Sequence, residues 1–371
     1  MKRLAIIGVG IVGTGAHGQG IPGMVNGLMK LSETNSITVY SFVPVDKTRV
    51  PKGIRIRCTW STRKSLLRIQ FVGLALLFVV DHIVKRYDMI HAQSPYPAGV
   101  LSVWLNRFFN IPWVLSLHAG EVARMPDVPF GDLLNPHLRK AAFDVCPRAN
   151  LIMAMSRFQA DIALENLNID LNIAVLHRGI EAKPYKRKPL CPPIQFLHIS
   201  NYHPVKDYGT LFKTFSLLLQ QMDCELVIAG DNNRVEIIDI IASMRLNDKI
   251  KFVGTIPNEK LTDLFSTAHI LLHTSRFEGL PMVALEAMAH GVLICGTHVG
   301  VMADFSGKYC LTVPPGDFMA LAETAAGVVK NEARYHALCE QAYAFIKTRD
   351  QQWYVNELEK IYSKVIENDK D

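Results

Sequence analysis

Short apolar runs alternate with helical patterns along the 371-residue chain, and they do so twice over. In the first half, residues 4–9, 37–43, 89–92, 113–117 and 151–154 read as strands, with helical patterns near 23–31, 66–85 and 98–109. In the second half, residues 195–199, 225–229, 250–253, 270–273 and 293–295 read as strands, and 208–220, 236–246, 258–267 and 318–330 as helices. Strands this short and this uniformly apolar belong in a parallel sheet buried under helices. The alternation therefore predicts an α/β chain of two doubly wound, Rossmann-like parallel sheets. The length suffices for two full cores. Residues 183–189 (Lys-Pro-Tyr-Lys-Arg-Lys-Pro) carry no periodicity and read as the linker. The expected division is 1–182 and 183–349, followed by a terminal helix over 350–371 with Trp353, Leu358, Ile361, Tyr362 and Val365 at helical spacing.

Composition narrows the class. An apolar share of 49% and a charged share of 20% describe an ordinary globular protein. The seven cysteines are scattered without metal-type spacing, which predicts reduced thiols and a cytosolic setting. The start, Met1-Lys2-Arg3-Leu4, resembles a signal peptide, but glycines from Gly8 onward break the apolar run early. The longest apolar stretch, Phe71 to Val80, stops at Asp81 and His82, short of a membrane span. The net charge of +6 is unevenly placed: from Lys47 to Arg68 there are eight basic residues and no acidic ones. That run fits either an anionic membrane surface or a solvated loop and strand edge. Nucleic acid is not expected, because no aromatic stacking pattern accompanies the charge.

The chemistry concentrates between Ser275 and Gly291, in Ser-Arg-Phe-Glu-Gly-Leu-Pro-Met-Val-Ala-Leu-Glu-Ala-Met-Ala-His-Gly. An apolar strand precedes it, and Gly279 and Pro281 mark a tight turn. A helix then runs from Val283 to a stop near Gly291. Glu278 thus sits at the carboxyl end of a strand, and Glu286 about one turn into the next helix. The segment Gly279, Leu280, Pro281 and Met282, where the helix begins, presents free amides that suit an anion. Proline lacks an N–H, so it contributes the turn and not a donor. Carboxylates accept from hydroxyls. A ligand with hydroxyls at both ends and phosphates in the middle fits, and a nucleotide-diphosphate sugar is one.

This segment resembles the Glu-x7-Glu signature of retaining family-4 glycosyltransferases, which have the GT-B fold of two Rossmann-like domains with a cleft between them. The resemblance covers the chain, with its specificity mainly in residues 195–300. It implies that Glu278 contacts the sugar hydroxyls and Glu286 the ribose, and that the terminal helix packs back on the first domain.

Other motifs take their place around this one. Ser200-Asn201-Tyr202-His203-Pro204-Val205-Lys206 runs from a strand end through a loop, where Lys206 can reach a phosphate as a point charge. The family usually has Gly-Arg at Ser200-Asn201. The Ser-Asn form is similar to the N-acetylglucosaminyl–malate transferases, and Asn201 supplies a hydrogen bond without charge. His118, in Leu117-His118-Ala119-Gly120-Glu121, resembles the family histidine near the reacting centre, with Ala119 altering the register and Glu121 as the acid. His91 reads as structural. Gly230-Asp231 and Val253-Gly254-Thr255 resemble turns beside the nucleotide, and His177-Arg178-Gly179 a crossover in which Arg178 replaces asparagine.

Gly8-Val9-Gly10-Ile11-Val12-Gly13 fits the dinucleotide fingerprint, which also needs an acid at the end of the second strand. That strand ends Tyr40-Ser41-Phe42 without one. The resemblance instead makes Gly13 and Gly15 part of a glycine-rich loop near the donor diphosphate. No metal motif appears in the sequence, so no metal or other cofactor is expected.

The sequence therefore predicts a metal-independent, retaining hexosyltransferase that uses a nucleotide sugar, a UDP-sugar first. Its catalytic residues would be His118, Lys206 and Glu278. The acceptor would be a saccharide, a lipid-linked sugar or a small molecule in cell-surface polysaccharide or glycolipid synthesis, at a cytoplasmic site or peripherally on the membrane. A malate-type transferase, an NAD-binding dehydrogenase and a non-catalytic nucleotide-sugar-binding protein are the alternatives.

Overall fold

The computed structural model describes residues 1–9, 22–46, 48, 50–61, 66–231, 235–244 and 246–369. Gly13 and Gly15 lie outside them, as do Lys47, Arg49, Arg63 and Lys64 of the basic run. The chain forms two compact units. One comprises 1–126, 130–179 and 351–371, the other 127–129 and 180–350.

In the first unit the elements are β1 (Arg3–Gly8), α1 (Pro22–Thr34), β2 (Ser36–Ser41), β3 (Ile54–Cys58), α2 (Leu67–Lys85), β4 (Met89–Ala92), α3 (Val100–Phe109), β5 (Trp113–Ser116), α4 (Pro136–Val145), β6 (Leu151–Ala154), α5 (Arg157–Leu167) and β7 (Ile173–Val175). All strand pairs are parallel, in the order β3-β2-β1-β4-β5-β6-β7. Both faces of this sheet are buried, which explains the unbroken apolar runs. Within β1, Leu4 and Ile6 pack with Leu28 and Leu31 of α1, whereas Ala5 and Ile7 face Leu74 and Phe78 of α2 and Leu101 of α3.

The second unit contains β8 (Ile194–Ile199), α6 (Tyr208–Leu219), β9 (Cys224–Ala229), α7 (Val235–Ser243), β10 (Ile250–Gly254), α8 (Asn258–Thr267), β11 (Ile270–His273), α9 (Met282–Ala289), β12 (Leu293–Thr297), α10 (Gly300–Phe305), β13 (Leu311–Val313), α11 (Phe318–Val329) and α12 (Glu332–Lys347). Its parallel sheet has the order β10-β9-β8-β11-β12-β13. The chain leaves β8 in one direction and returns to β11 on its other side. The switch point therefore lies between β8 and β11, and loops at their carboxyl ends open on a common crevice. The last helix, α13 (Gln351–Asn368), belongs to the first unit, where Tyr354, Val355, Leu358 and Tyr362 join the face that carries α1.

The basic stretch, read as a membrane contact or a solvated edge, contains the edge strand β3. Ile54 packs into the core while Arg57 Nε and Nη2 donate to Asp81 at 2.8 and 2.7 Å, and Arg55 Nη2 lies 3.2 Å from it. Tyr40 Oη donates to the same carboxylate at 2.9 Å. Hydrogen bonding from Arg57 holds the Asp81 carboxyl below its usual range, against the opposing effect of burial. The residue that interrupts the apolar run of α2 is thus the anchor of β3.

Candidate functional site

At the switch point of the second unit, two loops are stitched together through their backbones. Arg276 N donates to Val205 O at 2.7 Å, and Thr274 Oγ1 donates to Lys206 O at 2.8 Å. Thr297 Oγ1, at the end of β12, donates to Ser275 O at 2.5 Å. This bracing brings Lys206, from the turn after β8, onto Glu278, from the loop after β11.

Three groups converge on one oxygen of Glu278. Lys206 Nζ donates to Oε1 at 2.6 Å and Ser275 Oγ at 2.8 Å. His273 Nε2 stands 3.4 Å from the same atom and is buried, without a well-directed hydrogen bond. Burial would raise the Glu278 carboxyl, but His273 and Lys206 outweigh it and hold it at about 2. Glu278 is therefore an anion at neutral pH. Among the described residues no donor reaches Oε2, so that oxygen is available as an acceptor.

The turn after Glu278 depends on two glycines that sequence reasoning missed. A Cβ on Gly300, whose φ is +54°, would lie 2.8 Å from Gly279 O and 3.0 Å from Glu278 Cβ. A Cβ on Gly296 would lie 2.5 Å from His273 O. Both follow from close backbone approach. The signal was the Gly-Thr-His-Val-Gly run after an apolar strand. His273 and Ser275 were also missed, because their contact with Glu278 follows from the path of the loop after β11.

Helix α9 starts at Met282 with Pro281 as its N-cap, and Gly291 follows it at φ +65°. Its first amides have no intrahelical acceptor. Ala284, Leu285, Ala287, Met288 and Ala289 are buried, leaving Met282, Val283 and Glu286 on the accessible side. Glu286 is the unusual member. Burial pushes its carboxyl up to about 7, and among the described residues no group donates to it. Glu278 is thus a satisfied anion, while Glu286, two turns further along the chain, is an acceptor without a partner.

Asn201 ties two loops of the sheet end together. Its Oδ1 accepts from Asp231 N at 3.0 Å, tying the loop after β8 to the turn after β9. Gly230 (φ +124°) donates its N–H to Gly254 O at 2.9 Å, which joins that turn to the end of β10. A side chain at Gly254 would meet nothing within 4 Å, so glycine is required there by its φ of +68°. These three predicted residues lie together on the rim of the same sheet end.

His118 belongs to the other unit, after β5. Its ring Nε2 donates to Gln93 Oε1 at 3.1 Å, and burial, reinforced by the Arg178 charge, drives its pKa down to about 3. The ring is therefore neutral. Glu121 turns back on its own loop, accepting from His118 N at 3.1 Å and Ala119 N at 2.7 Å. It positions the histidine backbone. His91 has both nitrogens engaged, with Tyr362 Oη at 2.6 Å and Ser116 Oγ at 2.7 Å, as a structural histidine should.

Two family matches divide the chain. Residues 35–183 match the family described as Glycosyltransferase Family 4, and residues 184–345 match Glycosyl transferases group 1. The N-acetyl-alpha-D-glucosaminyl L-malate synthase of Bacillus anthracis is 27% identical over 318 residues, 80% of each chain. The putative teichuronic acid biosynthesis glycosyltransferase TuaC of Bacillus subtilis is 27% identical over 250 residues, 64% of this chain and 60% of that one. Among solved structures, the sucrose-phosphate synthase of Thermosynechococcus elongatus superposes with a TM-score of 0.81 at 18% identity, covering 99% of this chain and 100% of that one. Anabaena HepE in complex with UDP-glucose gives 0.74 at 18% identity, covering 98% and 100%.

Proposed function

Because the chain belongs to the family-4 glycosyltransferases and has their GT-B fold, we propose that it moves a hexose from a nucleotide-diphosphate sugar to a hydroxyl acceptor, with retention at the anomeric carbon. The observation that carries this reading is the asymmetry of the two glutamates. Glu278 is an anion with Oε1 saturated and Oε2 open, suited to the sugar hydroxyls. Glu286 is a buried carboxyl lacking a donor, suited to the ribose hydroxyls. A diphosphate between them would meet the free amides at the start of α9.

Lys206 has a second part in this reading. In the structure its ammonium is bound to Glu278. We read that pair as the resting arrangement, in which Glu278 pre-positions Lys206 at the switch point. As the bond to the anomeric carbon breaks, negative charge grows on the departing diphosphate, and Lys206 with the α9 amides stabilises it. The acceptor hydroxyl then attacks from the face that the diphosphate leaves, its proton passing to an oxygen of the departing phosphate. No divalent cation is assigned a role, since the sequence places no paired acidic motif at these loops. His118, Gly13 and Gly15 remain proposed contributors from the first unit, which would select the acceptor.

UDP is the proposed base carrier, because the Anabaena HepE structure contains UDP-glucose. The similarity to the malate-type synthase supports a small-molecule acceptor as a second reading, beside a saccharide acceptor of the teichuronic acid kind. Peripheral attachment to a membrane, prompted by the basic stretch before Arg68, belongs to the saccharide or lipid-linked reading. Thermal-shift measurements against UDP-, GDP- and ADP-sugars and NAD test the donor class. A UDP-sugar should raise the melting temperature and NAD should not. Stabilisation by NAD alone would sink the proposal.

A further inference from the structure

Helix α2 carries a face that the described residues of its unit leave exposed. Leu74, Ala75, Phe78 and Asp81 point into the core. On the opposite side Ile69, Val72, Leu76, Val80, Ile83 and Val84 are each 57–79% exposed. At 100° per residue these six form one stripe roughly 120° wide along the helix. Solitary exposed apolar residues need no explanation, but a contiguous stripe does. Trp60, 63% exposed, lies over Gly73 of the same helix, where an added Cβ would stand 3.7 Å from its ring. On α3, which runs beside α2 with Phe109 4.9 Å from His82, Trp104 and Phe108 are also exposed and in contact at 4.8 Å.

The charges around this ridge are of one sign. Across β3, α2 and α3 the only acidic residue is Asp81, which is buried and held by Arg57. The exposed basic residues are Arg55 on β3, whose guanidinium also reaches Asp81, Arg68 at the start of α2, Arg86 at its C-cap and Arg107 on α3. An apolar stripe edged by tryptophan and cations, with no exposed carboxylate, complements an anionic lipid surface. A second copy of the chain fits less well, since a two-fold contact would set this cationic rim against itself. No helix among the described residues is long and apolar enough to cross a membrane, so α2 would lie in the interface plane.

We infer that the protein attaches to anionic membranes by laying the α2 ridge, with Trp60 and the Trp104–Phe108 pair, into the headgroup layer; the inference rests on the peripheral attachment included in the proposed function. Apolar insertion supplies most of the binding, because Arg55 and Arg57 are committed to Asp81. The cationic rim selects the lipid. This differs from attachment driven chiefly by charge, the expectation the basic run alone gives.

Co-sedimentation of the full chain with phosphatidylglycerol–phosphatidylcholine vesicles, and with phosphatidylcholine alone, is the test. The wild type should bind the mixed vesicles at low salt and keep a substantial part of that binding at high salt. A variant with Val72→Gln, Leu76→Gln, Val80→Gln and Ile83→Gln should lose roughly tenfold or more in partitioning. Circular dichroism and retained UDP-sugar binding would show that the variant is folded. Wild-type binding that survives intact in the folded variant overturns the ridge but leaves peripheral attachment standing. Absence of wild-type binding to either vesicle overturns both. A wild-type dimer in sedimentation that becomes monomeric in the variant, without vesicle binding, assigns the ridge to a second copy and overturns the inference.

Discussion

Glu278 and Glu286 carry the same functional group, and their surroundings give them opposite characters. One is met by several donors, and the other is shielded from water with no donor among the described residues. The consequences are measurable. Removing Lys206 takes away the shortest hydrogen bond to Glu278 Oε1 and the cation proposed to stabilise the diphosphate. Lys206→Ala should lower turnover by about two to three orders of magnitude at saturating donor. Near-wild-type turnover in a folded variant would exclude the role. For Glu286 the pH dependence is the sharper readout. Its folded value of about 7 lies above the unfolded 4.5, so the folded protein retains this proton. The wild type should therefore match Glu286→Gln in relative stability below pH 4.5 and lose ground as pH rises toward 7. Denaturant titrations across that window check it, and a difference independent of pH would contradict the assignment. Both glutamates were legible in the sequence because their spacing and the Gly-Leu-Pro turn fix a strand end and a helix start. His273 and Ser275 were not, because their contact with Glu278 follows from the path of the loop and not from any local pattern.

At the scale of the element, the site is held by glycines on neighbouring segments. Gly300 opens α10 and lets the Glu278–Gly279 turn lie against it. Gly300→Ala should cost about 1–3 kcal/mol, from its left-handed φ and from the clash with Gly279 O. Turnover should fall with stability, measured by thermal melts beside kinetics. An unchanged melting temperature with full activity would show that the turn adapts. Most strands were legible because parallel strands are apolar throughout. β3 was obscured because Arg55 and Arg57 alternate with isoleucines and look solvated until Asp81 is brought beside them by the fold. Helix α12 was missed for a related reason. Its buried face includes Tyr335, His336 and Cys339, residues that do not mark an apolar stripe in the sequence.

For the whole molecule, two Rossmann-like units of the GT-B fold divide the chain, and the donor site is assigned to the switch point of the second. The alternation of strands and helices was sufficient to predict this architecture, since few other arrangements bury parallel strands on both faces. The charge on the diphosphate is assigned to Lys206 and helix-start amides, so turnover should persist in EDTA. Loss of activity restored by magnesium or manganese would overturn that assignment. The central claim, that Glu278 and Glu286 frame a nucleotide-sugar site, is tested most directly by calorimetric titration of a UDP-hexose into the wild type, Glu278→Ala and Glu286→Ala. The account predicts saturable binding to the wild type, weakened by about 1–3 kcal/mol when Glu286 loses its carboxylate and weakened also in Glu278→Ala. Equal affinity in all three proteins, each shown to be folded, would contradict it.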